Sequence, residues 1–213
     1  SMDDGSNIGL LAGQVTNGST IYNCYSSGSL LSPGNSFGGL VGDISDSIIG
    51  SCYSNADVFG FSDVGGLVGT AYQAAISNSY ASGSIELHDT GTAGGLVGNM
   101  DYSSIDNCYS TTTLNINIGS NIGGLVGFTN FSSITNSYAE GSMRLGGGAI
   151  GGGIAGYADS VAFDNVYANI NFDSTGQNSI NLKMITISFK LEKQLESKMY
   201  TLSKLLLHLL TKD

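Results

Sequence analysis

Four sets of residues have types and spacing that chemistry can use: glycine-rich runs, a serine between glycines, three cysteines and a scatter of aspartates. "GGGAIG" at 146–151 and "GGGIAG" at 151–156 both satisfy G-x-G-x-x-G. That pattern holds a dinucleotide pyrophosphate when it joins a strand to a helix whose N-terminus faces the phosphates. Here no helical pattern follows, and "GGGIAG" falls in register with a pentapeptide repeated along the chain. "GNSFG" at 34–38 fits G-x-S-x-G and would expose Ser36 as a nucleophile. A nucleophile elbow also needs a strand–turn–helix and a histidine partner, and His88 and His208 are both far off in sequence. Cys24, Cys52 and Cys108 contain no CxxC, so they make no zinc site. The acids Asp43, Asp46, Asp57, Asp63, Asp89, Asp101, Asp106, Asp159 and Asp164 are scattered without a shared spacing. A polysaccharide-cleaving site needs clustered carboxylates on one face, and the GGxGxD calcium repeat is absent. The sequence therefore assigns no catalytic, cofactor-binding or metal-ligating residue, requires no cofactor, and is read as not an enzyme.

The composition narrows the class. The 213 residues include 32 Gly, 1 Pro and no Trp, and only 11% are charged. Few charges and many glycines favour short strands and turns. The net charge of −10 excludes a nucleic-acid partner, which demands a basic footprint. Arg144 is the only basic residue before Lys183, so the C-terminal segment is a different kind of sequence. No apolar run approaches the ~20 residues of a membrane span, and "SMDDGSNIGL" has no signal-peptide pattern. The repeat starts near residue 8, so the chain is expected to be a piece of a longer protein.

That repeat must position anything the chain does. "GGLVG" occurs at 38–42, 65–69, 94–98 and 123–127, with looser copies before and after. The closing glycines Gly13, Gly42, Gly69, Gly98, Gly127 and Gly156 are spaced by 29, 27, 29, 29 and 29 residues. A tyrosine follows each: Tyr25, Tyr53, Tyr80, Tyr109, Tyr138 and Tyr167. It lies 12 residues on in the first unit and 11 in the rest. Four residues before it stand Ile21, Ile49, Ile76, Ile105, Ile134 and Phe163. Two before it stand Asn23, Ser51, Asn78, Asn107, Asn136 and Asn165.

Around each tyrosine the pattern has period 2, which is a half-buried strand. Small or apolar residues one before, one after and five after the tyrosine should face inward, leaving the ring on an outer or flanking face. The isoleucine four before has the wrong parity for that inner face, so a bend is expected between them. The asparagine sits at the bend, and Asn tolerates the left-handed conformation. Units of 27–29 residues cannot bury their own apolar faces, but stacked coils can, at about 4.8 Å per coil. The sequence thus predicts an all-β chain: a parallel β-helix or β-solenoid of about six coils over residues 1–179. In such a stack the glycines serve as a tight corner, and the tyrosines and asparagines form axial ladders or a platform for sugars or host proteins. The three cysteines, at one register position, read as small buried thiols. The stretches 31–37, 57–64, 86–93 and 144–150 vary most between units and are expected to carry any recognition.

"GGLVG…SxIxNSYAxGxI" resembles the GLUG repeat over roughly residues 8–172. Such repeats are found in bacterial surface proteins and in non-catalytic regions of IgA-cleaving metallopeptidases of the M26 type. The resemblance implies an extracellular or cell-surface setting and a structural or binding module, adhesive or stalk-like. Its partners would be a host glycoprotein, a glycan or neighbouring domains of the parent protein. The alternative it implies is an accessory region of a secreted peptidase or polysaccharide-active enzyme with catalysis elsewhere. It does not imply peptidase activity here, because HExxH is absent.

Residues 180–213 depart from the repeat. "NLKMITISFK" alternates like a strand, and Leu191, Leu195, Met199, Leu202, Leu205, Leu206 and Leu209 follow at helical spacing. An amphipathic helix is predicted there as a cap on the last coil.

Overall fold

The computed structural model describes residues 7–31, 34–118 and 121–173. Within them the chain winds through six coils, each laying down four strands, except that the last strand of the fourth coil is split into Tyr109–Ser110 and Thr113–Ile118. In the third coil these are Asp63–Gly65, Val68–Tyr72, Ala75–Ser77 and Tyr80–Leu87. Strands of the same rank pair between successive coils into four sheets, of six, six, six and seven strands. All the pairings are parallel, as in Tyr25↔Tyr53↔Tyr80 and Ile49↔Ile76↔Ile105. This is the expected β-solenoid. The predicted C-terminal strand and capping helix lie outside the described residues.

Why these residues make this coil follows from where each side chain goes. In the fourth sheet the strand Tyr53–Gly60 alternates strictly, with Ser54, Ala56 and Val58 buried. The isoleucines four before the tyrosines (Ile49, Ile76, Ile105, Ile134) are buried in the third sheet. Residues of wrong parity share one interior because the backbone turns left-handed between them. Asn23, Ser51, Asn78, Asn107, Asn136 and Asn165 all have φ of 48–53°.

"GGLVG" is the corner between the first and second sheets. Leu40, Leu67, Leu96 and Leu125 point inward from it and are fully buried, each contributing about 1.5–3 kcal/mol. None of its glycines has a positive φ, so their role is close approach. A Cβ on Gly38, Gly65, Gly94 or Gly123 would strike the carbonyl oxygen of the valine three residues on. The second glycine has a longer reach. A Cβ on Gly39 or Gly95 would strike Ser54 Oγ or Ser110 Oγ, and one on Gly66 would meet Ala81 Cβ at 2.8 Å. The small residue after each tyrosine thus faces the corner across the coil and forms a waist. The waist divides the interior into two apolar clusters. One gathers the corner leucines with Ile49, Ile76, Ile105 and Ile134. The other gathers Phe37, Val64, Ala93 and Ile122 of the first sheet with Val58, Ile85, Leu114 and Met143 of the fourth.

The variable stretches, expected to carry any recognition, alternate between surface and interior: Asp57, Phe61, His88, Asp89, Thr90 and Arg144 are exposed. Phe37, Val58, Val64, Leu87 and Ala93 are all fully buried. The fourth-sheet strands run long, through Gly60 and Leu87, and carry these stretches into the second cluster. Among the described residues no helix is long and apolar enough to cross a membrane.

Candidate functional site

Each coil makes two left-handed bends around its third strand. The second is the asparagine bend just described. The first lies four residues after each closing glycine, at Asn17, Asp46, Gln73, Tyr102, Phe131 and Ser160, with φ of 45–62°. In the first coil Gly18 (φ 71°) is inserted directly after it, which accounts for the spacing of 12 rather than 11.

Both bends are closed by one device. In most coils a serine or cysteine follows the left-handed residue, and its side chain bridges two coils. Ser79 Oγ accepts from Cys52 N (3.0 Å) and donates to Ser77 O (2.7 Å). Cys108 Sγ accepts from Ser79 N (3.4 Å) and donates to Asp106 O (3.2 Å). At the first bend Ser103 Oγ accepts from Ala74 N (3.0 Å) and donates to Asp101 O (2.7 Å). A backbone N–H at a bend misses the regular ladder, and leaving it unpaired in the interior is costly. The cysteines therefore do the work of serines. All three are free, and burial pushes the Cys108 thiol up to about 12, so it is protonated and inert as a nucleophile.

The tyrosines form one continuous stack from Tyr25 to Tyr167, with ring centroids 4.7–5.2 Å apart and planes within 11°. Each pair adds about 0.5–1.5 kcal/mol. Every internal ring has both faces covered by its neighbours, so the ladder offers edges and hydroxyls rather than sugar-stacking faces. The asparagines beside it also bond along the axis: Asn107 Nδ2 donates to Asn78 Oδ1 (2.6 Å) and Asn165 Nδ2 to Asn136 Oδ1 (2.9 Å). Asn136 instead donates to Asp106 (2.8 Å). Hydrogen bonds from Thr135 and Asn136 hold the Asp106 carboxyl below its usual range.

The first bend carries the groove. An open axial channel of about 810 Å³ crosses five coils from Gly18 to Ser133. Its floor is the buried row Ser47, Ala74, Ser103 and Ser132. One wall is the row of left-handed residues Asp46, Gln73, Tyr102 and Phe131, and the other is Ile48, Ala75, Ser104 and Ser133. Tyr102 and Phe131 stack at 5.1 Å yet remain 53% and 51% exposed. A left-handed conformation costs an ordinary L-residue about 1–2 kcal/mol, and Asn or Gly much less. Gln, Tyr and Phe accept that cost here, and an aromatic stack of ~0.5–1.5 kcal/mol offsets only part of it.

The sequence motifs do not assemble elsewhere. Ser36 is buried and shares a hydrogen bond with Thr70 Oγ1 (2.9 Å). Gly151 and Gly153 serve interior packing, their added Cβ atoms meeting Leu145 and Ala168. Asp63, at the start of a first-sheet strand, accepts from Thr92 Oγ1 (2.8 Å). Burial raises its carboxyl, with Asp101 adding to the rise. Burial likewise raises Asp101. Among the described residues no group of three His, Cys, Asp or Glu could hold a metal ion.

A stack of in-register 27–29-residue coils, two left-handed bends in each, defines a β-solenoid repeat protein. The GLUG motif model matches residues 4–30, 62–86, 89–116 and 118–143. The chain is a GLUG-motif repeat protein, and the second and sixth coils continue the same register outside the matched segments. No curated protein matches it.

Proposed function

We propose that this chain is a non-catalytic structural and binding module of a bacterial surface or secreted protein, adhesive or stalk-like. The observation that carries this reading is how the repeated residues are used. Glycines, isoleucines, serines, cysteines, tyrosines and asparagines are all consumed in holding coil to coil, which is what a rod or platform needs. Among the side chains not so used, Asp46, Gln73, Tyr102 and Phe131 line a surface groove. Its partners would be a host glycoprotein or glycan, or neighbouring domains of the parent protein, and its place the cell surface or the medium. The test applies the intact chain to an array of glycans and host glycoproteins. Reproducible, saturable binding to a defined class is expected. Binding to none would overturn the adhesive half of the reading and leave a passive spacer.

A further inference from the structure

We propose that the groove at the first bend binds a linear, uncharged polysaccharide strand, with Asp46, Gln73, Tyr102 and Phe131 as the residues that select it. This rests on the reading of the chain as a binding module, and it names the site and the ligand class.

Three observations carry it. The first is strain in the backbone. The two bends need the same conformation, and at the second bend five of six coils use asparagine. At the first bend the six residues are six different types, and Gln73, Tyr102 and Phe131 are poor at φ near +45 to +49°. Bulky residues kept in a sparsely populated conformation point to a role for the side chain itself. The second is shape. The groove is open and follows the solenoid axis across five coils, about 19 Å for four steps of ~4.8 Å. An open channel of that length suits a polymer passing through it rather than an enclosed small molecule.

The third is chemistry. Ser160 occupies the next bend position after Phe131, so the Phe131 face turned away from Tyr102 has no ring against it among the described residues. The C–H face of a sugar ring can stack there. The Asp46 carboxylate and the Gln73 amide, both exposed, are placed to bond sugar hydroxyls. No basic side chain lines the groove, so uronates, sialates and phosphates find no counter-charge. A single carboxylate is also too little to hold a polycation.

The test is an NMR titration of the full 15N-labelled chain with cellohexaose, xylohexaose and hexa-N-acetylchitohexaose, and with hexagalacturonate as the charged counterpart. An uncharged hexamer is expected to shift the amide signals of 73–75, 102–104 and 131–133, while hexagalacturonate leaves them in place. Phe131→Ala and Tyr102→Ala should each weaken binding about tenfold. Phe131→Tyr should keep it, as should Phe61→Ala, outside the groove. Amide spectra of the free variants confirm that each is folded. No shift in the groove with any uncharged hexamer would overturn the proposal, and so would affinity indifferent to both ring deletions. A proline-rich peptide filling the groove in the hexamers' place would overturn the carbohydrate class. If the array detects binding while these groove signals stay still, the groove assignment falls and the binding-module reading stands.

Discussion

The two left-handed bends of each coil have the same backbone and opposite side-chain policies. At the second bend the conformation decides the residue: asparagine in five coils and serine in one, with amides bonded along the axis. At the first bend Asn, Asp, Gln, Tyr, Phe and Ser take the same conformation in turn. Beneath both runs one kind of serine or cysteine bridge. A turn therefore does not need its best residue if the layer below already satisfies the backbone. The strain tolerated at the first bend frees a row of side chains to differ, and that row lines the groove.

The largest expected effect tests the shared layer. Cys108→Val deprives the Ser79 N–H of its acceptor and should cost about 1–3 kcal/mol, read by urea denaturation. Cys108→Ser, which places there the residue found in other coils, should be nearly neutral. If Ser103→Ala at the first bend costs much less than Cys108→Val, the two bends do not share a mechanism. Next comes the fixed bend. Asn107→Ala loses the bond to Asn78 and forces alanine to φ near 51°, at a cost of about 1–2 kcal/mol. The sign should reverse at the variable bend. Gln73→Gly relieves the same strain with no ring stack lost, and should be neutral or stabilising by up to about 1 kcal/mol.

The smallest effect is set by pH. Asp106 has its folded pKa lowered by Thr135 and Asn136, so its contribution is present above the unfolded value of about 3.9 and is lost as pH falls through the folded one. Asp106→Asn should lower the Tm slightly at pH 7 and leave it unchanged in strong acid. An equal loss at both extremes would remove Asp106 from the bend's stabilisation.

Much of this was legible in the sequence. The period, the tyrosine register and the parity break before it locate the fourth sheet, the third sheet and the second bend, because asparagine announces a left-handed residue. The first bend was not legible. Gln73, Tyr102 and Phe131 are among the last residues expected at positive φ, and only the closed coil explains them. The waist was half legible: small residues recur at the second glycine and after each tyrosine, yet nothing local says that the two meet across the interior. Within the variable stretches the inward-facing Phe37, Val64 and Ala93 differ in type because the second cluster needs apolar volume rather than one particular residue.

The sheets, both bends and the groove all depend on coils stacked in parallel and in register. Asp43 and Tyr157 stand at equivalent second-sheet positions, linked through Thr70, Asn99 and Phe128. With the three cysteines replaced by serine and spin labels placed at 43 and 157, pulsed electron resonance should give one narrow distance distribution. It should centre near 19 Å, four coil steps of ~4.8 Å, broadened only by the label arms. A broad distribution, or a centre well beyond that range, would contradict the stacked solenoid.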